Sequence, residues 1–317
     1  MKVSAPANGG AAVRVDAARS ATATGCTDLI MVLPLFHRGT RTYSQPTDML
    51  FILKWCRRAI EEMTREPIVG CCGWTEAQAR YFEHFPAIEI QTTFYEPPSI
   101  AVAKRWKEQA PRDFQFCMKA WQLITHTPTS PTYRKLKEPV KAEERDLYGN
   151  FRPTERVQLA WERTREIAKV LDAAVIVFQC PNSFLPTAEN LRNIDSFFEA
   201  IEREHYVFAW ELRGEDWTPD IVRRVCRSND LVHCVDPFQS AAVYGDTLYW
   251  RLHGRGGYRY KYTDEDLSRL RTMLAAHMRD RNYVLFNNMT SRQDALRFSG
   301  QLYSGVEARL ATRTPRA

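Results

Sequence analysis

The chain contains no CxxC pair, no HExxH and no HxxxH spacing, so neither a zinc ribbon nor a helix-borne catalytic zinc is written into it. Its eight cysteines do not suggest a disulfide framework either: Cys71 and Cys72 are adjacent, and Cys117, Cys180 and Cys234 sit inside strand-like runs. That usage fits reduced core thiols of a cytoplasmic protein. No apolar run approaches the ~20 residues of a membrane span. The longest is Leu29–Phe36, and the extreme N-terminus lacks the continuous apolar core of a secretory signal, so no membrane partner is expected. A dense basic stripe of the kind that marks a DNA-binding module is also missing. The net charge of +6 admits an anionic partner without demanding nucleic acid.

What the chain does have is a repeated alternation of strand-like and helix-like patterns from Ile68 onward. Strands are expected at Ile68–Trp74, Ala87–Tyr95, Phe114–Trp121, Ala173–Cys180, Tyr206–Arg213, Leu231–Pro237, Asp246–Gly254 and Asn282–Met289. Between most of them lie amphipathic patterns: Ser99–Ala110, Pro153–Leu171, Thr187–Glu204, Thr218–Asn229, Thr263–Arg281 and Ser291–Val306. Most open on Ser or Thr, good helix caps. The link between the sixth and seventh strands is too short for a full helix. Eight such units predict an α/β fold of (β/α)8 TIM type over residues 67–308. The alternative, an open doubly wound sheet, lacks a GxGxxG after its first strand. Residues 1–66 read as an N-terminal extension, Ala/Gly/Ser/Thr-rich to Thr24 with a helical pattern at Asp48–Met63, and 309–317 as a basic tail. We expect the functional protein to start near Met63. The long irregular stretch Gln122–Arg152, after the third strand, reads as a lid.

Catalytic groups in such a barrel gather at the C-terminal strand ends. Here those ends carry Glu89, Lys119, Gln179, Glu211, Arg213, Asp236, Arg251, His253, Asn287 and Asn288. A purely structural interior would read Val, Ile and Leu. A bland alternative is a charge network that plugs the barrel, for example Glu89–Lys119 and Glu211–Arg251, because isolated buried charges cost several kcal/mol each. The functional reading makes Glu89, Glu211 and His253 the proton movers and Lys119, Arg213 and Arg251 an anion clamp. Lys119 could also act as a Schiff-base nucleophile if burial depresses its pKa. Tyr95 and the lid residue His126 would line the pocket. Gly254, opening the loop GRGGYRYKYT, would free backbone N–H groups for phosphate. Glu89, Glu211, Asp236 and His253 form an oxygen-rich set that a metal could use, but the same rim supplies cations that already neutralise them. A metal-independent site with no cofactor is therefore expected.

The pieces GCCGW, AIEIQTTFYEPPS, FQFCMKAWQLITH, FQCPNSF, FAWELRGEDW, CVDP, YWRLHG, YRYKYT and FNNM follow one another in order. Together they resemble the YecE-like family, domain of unknown function family 72, over about residues 67–305. The resemblance implies a TIM-type barrel with Glu89, Lys119, Glu211, Arg213, Asp236, Arg251, His253 and the two asparagines at its mouth. The expected activity is acid–base hydrolysis of a small phosphorylated or otherwise anionic substrate. The alternatives are a nucleic-acid-binding or phosphodiester-cleaving protein, and a non-catalytic anion sensor.

Overall fold

The computed structural model describes residues 66–312, with side chains through residue 302. The expected N-terminal extension up to residue 65, with its helical pattern, and the tail beyond residue 312 lie outside the described residues. The strands are β1 (Pro67–Cys72), β2 (Ala87–Ile90), β3 (Gln115–Lys119), β4 (Val175–Gln179), β5 (Val207–Glu211), β6 (Val232–Cys234), β7 (Thr247–Leu252) and β8 (Arg281–Phe286). They form one parallel sheet in the order β6-β5-β4-β3-β2-β1-β8-β7. A parallel bridge from Val235 to Trp250 joins its two ends, with Arg251 N–H donating to the Val235 carbonyl at 2.9 Å. The sheet thus curls into a nearly closed barrel.

The helices outside it are α1 (Gln78–His84), α2 (Ile100–Gln109), α3 (Glu155–Leu171), α4 (Ala188–Ala200), α5 (Pro219–Ser228), α6 (Asp264–His277) and α7 (Ser291–Thr312). Ser99, Thr154, Thr187, Thr218 and Thr263 each accept a first-turn backbone N–H at the side-chain oxygen; four of these are the expected starts, whereas α3 begins after Thr154 and leaves Pro153, expected in its first turn, before the cap. Thr263 completes a capping box with Asp266. α1 is an addition, short and with little apolar periodicity to announce it.

The period-two pattern sorts the residues into two layers. Val69, Ile88, Phe116, Ile176, Phe208, Trp210, Trp250 and Phe286 face outward into the helix layer, which holds most of the core. Cys117, Val175, Val177, Ala209, Cys234, Tyr249, Tyr283 and Leu285 fill the barrel interior. β2 is shorter than expected. After Ile90 the chain turns into a helical turn, Thr92–Tyr95, and the Thr93 hydroxyl donates to the Ile90 carbonyl at 2.9 Å. Thr93 and Tyr95 therefore leave the strand face that alternation assigned them.

No helix occupies the β6–β7 link, as expected. Its carbonyls are collected instead by one side chain. Arg279 donates to the carbonyls of Tyr244 at 3.0 Å, Gly245 at 2.5 Å and Ala242 at 3.3 Å. Replacing it strands these partly buried acceptors. Arg279→Ala should cost about 1–3 kcal/mol of stability, read as a lower denaturant midpoint, and should speed amide exchange across Ala242–Gly245. An unchanged midpoint would mean water replaces the guanidinium without loss.

Candidate functional site

β7 supplies the centre of the site. Tyr249 and Arg251 point into the barrel, and His253 follows at its mouth. Arg251 is 1% exposed. Its Nε and Nη2 each donate at 2.9 Å to the two oxygens of Glu89, a bidentate pair, while Nη1 donates to Glu211. Glu89 also accepts from the Tyr249 hydroxyl at 2.9 Å and from the Gln91 amide. Every oxygen of Glu89 is thus engaged, and it is fully buried. Burial opposes charge on Arg251, but the two carboxylates outweigh it and hold the guanidinium charged.

Above this layer lie two adjoining cavities. The larger, about 1070 Å³, is lined by Glu211, Asp236, His253 and Gly254 among others. The smaller, about 420 Å³, is lined by Lys119, Tyr95, His126 and Gln179. Arg213, Asn287, Asn182 and Tyr258 line both. In the larger cavity the His253 ring lies between two carboxylates, Nε2 at 3.3 Å from Glu211 and Nδ1 at 3.7 Å from Asp236. Asp236 is held in turn by the backbone N–H groups of His253 and Phe238, at 2.9 and 3.0 Å. Burial raises the Glu211 carboxyl pKa, but Arg251, His253, Arg213 and Lys119 pull harder, so it falls below the ordinary value. Glu211 is therefore an anion at neutral pH.

Several expected site residues do not reach a cavity. Glu89 and Arg251 form the floor and line neither, because each saturates the other. Asn288 turns to the loop after β7 and to α7, donating to the Tyr260 carbonyl and Asp294, both at 2.7 Å. The expected phosphate loop is occupied by its own folding. Gly254 has φ +88, its N–H donates to the Tyr262 hydroxyl at 2.9 Å, and a Cβ there would meet the Gly257 carbonyl oxygen at 2.3 Å. Arg255 is paired with Asp266 at 2.7 Å. Asn182, Ser130 and Thr132 were missed. Asn182 follows β4 at a strand end, which was a usable signal; the other two sit in the irregular stretch, where nothing marked them.

The family model described as "Protein of unknown function DUF72" matches residues 68–317. The chain belongs to the DUF72 family. The UPF0759 protein YecE of Escherichia coli (strain K12) is 44% identical over 46 residues, which is 14% of this chain and 17% of YecE. The match thus spans under a fifth of that relative. Among solved structures, a DUF72 family protein from Enterococcus faecalis V583 has TM-score 0.57 and 18% identity, covering 75% of this chain and 97% of that one. A DUF72 family protein from Thermotoga maritima MSB8 has TM-score 0.55 and 20% identity, covering 75% and 99%. At such identities the likeness is one of fold.

In this DUF72 barrel the smaller cavity is electrostatically unlike the larger. Lys119 is 3% exposed and donates to Gln179 Oε1 at 2.5 Å. Its ammonium lies 3.8 Å from the centre of the Phe94 ring. Burial, reinforced by Arg251 and Arg213 against the pull of Glu211 and Glu89, lowers its pKa to about 7. Burial and the cations Lys119 and Arg213 likewise lower His126 to about 3, so its ring is neutral. Its Nδ1 is 2.8 Å from the Thr125 hydroxyl. Among the described residues no three His, Cys, Asp or Glu side chains gather as a set that could hold a metal ion. No described helix is long and apolar enough to cross a membrane.

The Lys119 shift has a definite sign for stability. Between pH 7 and the unfolded value near 10.5 the unfolded chain holds one more proton than the native one, so stability rises with pH across that window. Comparison with Lys119→Met cancels the other groups. The wild type should gain stability relative to the variant from pH 7 to 8.5, measured by urea unfolding; parallel curves would show that Lys119 titrates as a solvated lysine.

Proposed function

We propose that the barrel mouth is the active site of a metal-independent enzyme that hydrolyses a small phosphorylated or otherwise anionic substrate by acid–base chemistry. One observation carries the reading: an ionised, buried Glu211 stands 3.3 Å from the His253 ring in the wall of a large cavity. A carboxylate and an imidazole so placed can divide the two proton transfers of hydrolysis. Glu211 takes the proton of the attacking water, and His253 delivers one to the leaving group. Asp236 orients His253 from the other side. Since its pKa is lowered, Glu211 is a weaker base than a free carboxylate, which argues for the lower end of general-base contributions.

Arg213 is exposed at the junction of the two cavities and makes no ion pair among the described residues. It is the natural seat for the substrate anion, as a planar fork that matches phosphate or carboxylate. Arg251, fully committed to Glu89 and Glu211, keeps Glu211 in place rather than binding substrate. Glu89 and Glu211, two of the donors a metal would need at this mouth, already face Arg251. A phosphodiester substrate is a second reading, favoured by Tyr258, 63% exposed on the shared rim beside Arg259 and Lys261.

The test is turnover of a panel of phosphomonoesters, phosphodiesters and carboxylate esters by the full chain. Glu211→Gln should lower kcat about 100-fold or more while leaving the Kd for inorganic phosphate unchanged. Arg213→Gln should weaken phosphate binding about 10-fold. Undiminished turnover in Glu211→Gln would remove this residue from the mechanism. A binding constant for single-stranded DNA that falls steeply with salt would favour the second reading.

A further inference from the structure

Lys119 is the buried amine that the hydrolytic reading leaves unused. Among the described residues no carboxylate lies within ion-pair distance of its Nζ, because Glu89 and Glu211 both turn onto Arg251. Its hydrogen bond goes to a neutral acceptor, Gln179, and its other cation-stabilising neighbour is the face of Phe94. Around it the smaller cavity offers neutral hydrogen-bonding groups, Ser130, Thr132 and Asn287, with Arg213 at the edge. A lysine kept for an ion pair would have its carboxylate beside it. A lysine kept for packing would not end in a cavity of about 420 Å³.

We propose that Lys119 forms a reversible imine with a small aldehyde or ketone that carries an anionic group, the anion resting on Arg213. Free amine is available for this at neutral pH, since burial already disfavours the ammonium. The nitrogen lone pair attacks the carbonyl carbon, a C–N bond forms, and the carbonyl electrons move to oxygen. That oxygen then leaves as water, taking one proton from the amine and one from solvent in the cavity. The product is a protonated imine, whose charge stays over Phe94 and whose N–H can donate to Gln179. Neither Glu211 nor His253 takes part, so the activity does not rest on hydrolysis; the two readings share only Arg213 as the anion seat.

The experiment is reductive trapping. The full chain is incubated at pH 7 with sodium cyanoborohydride and either glycolaldehyde phosphate or glycolaldehyde, then followed by intact mass and peptide mapping. Hydride from the reagent reduces the imine to a stable secondary amine. We expect one adduct per chain, on the peptide carrying Lys119, formed about 10-fold faster from the phosphorylated probe. Arg213→Gln should abolish that preference, and Lys119→Arg should abolish the adduct. The trapping rate at Lys119 should reach half its maximum near pH 7. Adducts on exposed Lys135 or Lys137 with Lys119 unmodified would overturn the proposal, as would a half-maximum near pH 10. Equal rates for the two probes at Lys119 would overturn the anionic part of it. The wild-type peptide map decides even if Lys119→Arg does not fold, and esterase turnover is not read, so failure here is distinct from failure of the hydrolytic reading.

Discussion

One guanidinium shared by two carboxylates organises the upper half of this barrel. Arg251 reaches Glu89 with two parallel hydrogen bonds and Glu211 with a third. Three buried charges would be prohibitive singly, since each loses several kcal/mol of hydration. Packed together they leave a single excess negative charge, and Tyr249, Gln91 and His253 address that remainder. The division of labour above follows from this geometry. Glu89 is spent on holding Arg251. Glu211 is pinned as an anion at the cavity wall. Among the described residues Lys119, the other buried cation, is left without a carboxylate at ion-pair distance.

The interior beneath explains how so long a side chain fits. The register sets Cys72 and Cys117 on either side of Glu89, and Gln179 and Cys234 on either side of Glu211. These thiols are small enough to leave room for the guanidinium in a close-packed interior. Their pKa values are pushed up, first by burial, so they stay protonated and add no charge. Gly70 on β1 answers a different crowding, since a Cβ there would meet the Ala87 carbonyl oxygen at 2.3 Å and the Leu285 side chain at 3.1 Å. Lower still, Tyr283 donates to Gln115 at 2.5 Å and closes the base of the barrel.

The fold was legible because its signals are local. Period-two alternation on β7 and Ser or Thr caps at the helix starts need no knowledge of partners. The site was legible only as a set of residues. Sequence placed Glu211, His253, Asp236, Arg213 and Lys119 at one end of the barrel, and there they stand. It could not say which carboxylate meets which cation, because those pairs lie far apart in the chain. Of the two salt bridges anticipated for a plug, Glu211–Arg251 forms and Glu89–Lys119 does not, since Arg251 takes both acids. β2 was drawn too long because QTTFY reads as a β-branched strand, whereas the Thr93–Ile90 bond bends it into a turn; Tyr95 still lines the smaller cavity from that turn. Plug and pocket were posed as alternatives; in the structure they are floor and chamber.

The segment Gln122–Arg152, anticipated as a lid, bears on what that chamber can hold. Gly149 and Phe151 donate backbone N–H groups to the carbonyls of Leu123 and Ile124 at 2.8 and 2.9 Å, and Tyr133 donates to the His126 carbonyl at 2.7 Å. Phe151 is buried among Phe178, Phe184 and Phe197. A segment anchored this way is a wall rather than a hinged cover. The wall delivers neutral His126, Ser130 and Thr132 opposite Lys119, in a pocket where burial first, and neighbouring cations second, lower the pKa of both Lys119 and His126. Such a pocket is short of negative charge. An anion that docks on Arg213 supplies it, and by the same Coulombic coupling lowers the cost of any positive charge created at the Lys119 nitrogen. Anion binding and iminium formation are therefore expected to reinforce each other, each increasing the affinity or stability of the other by the same factor.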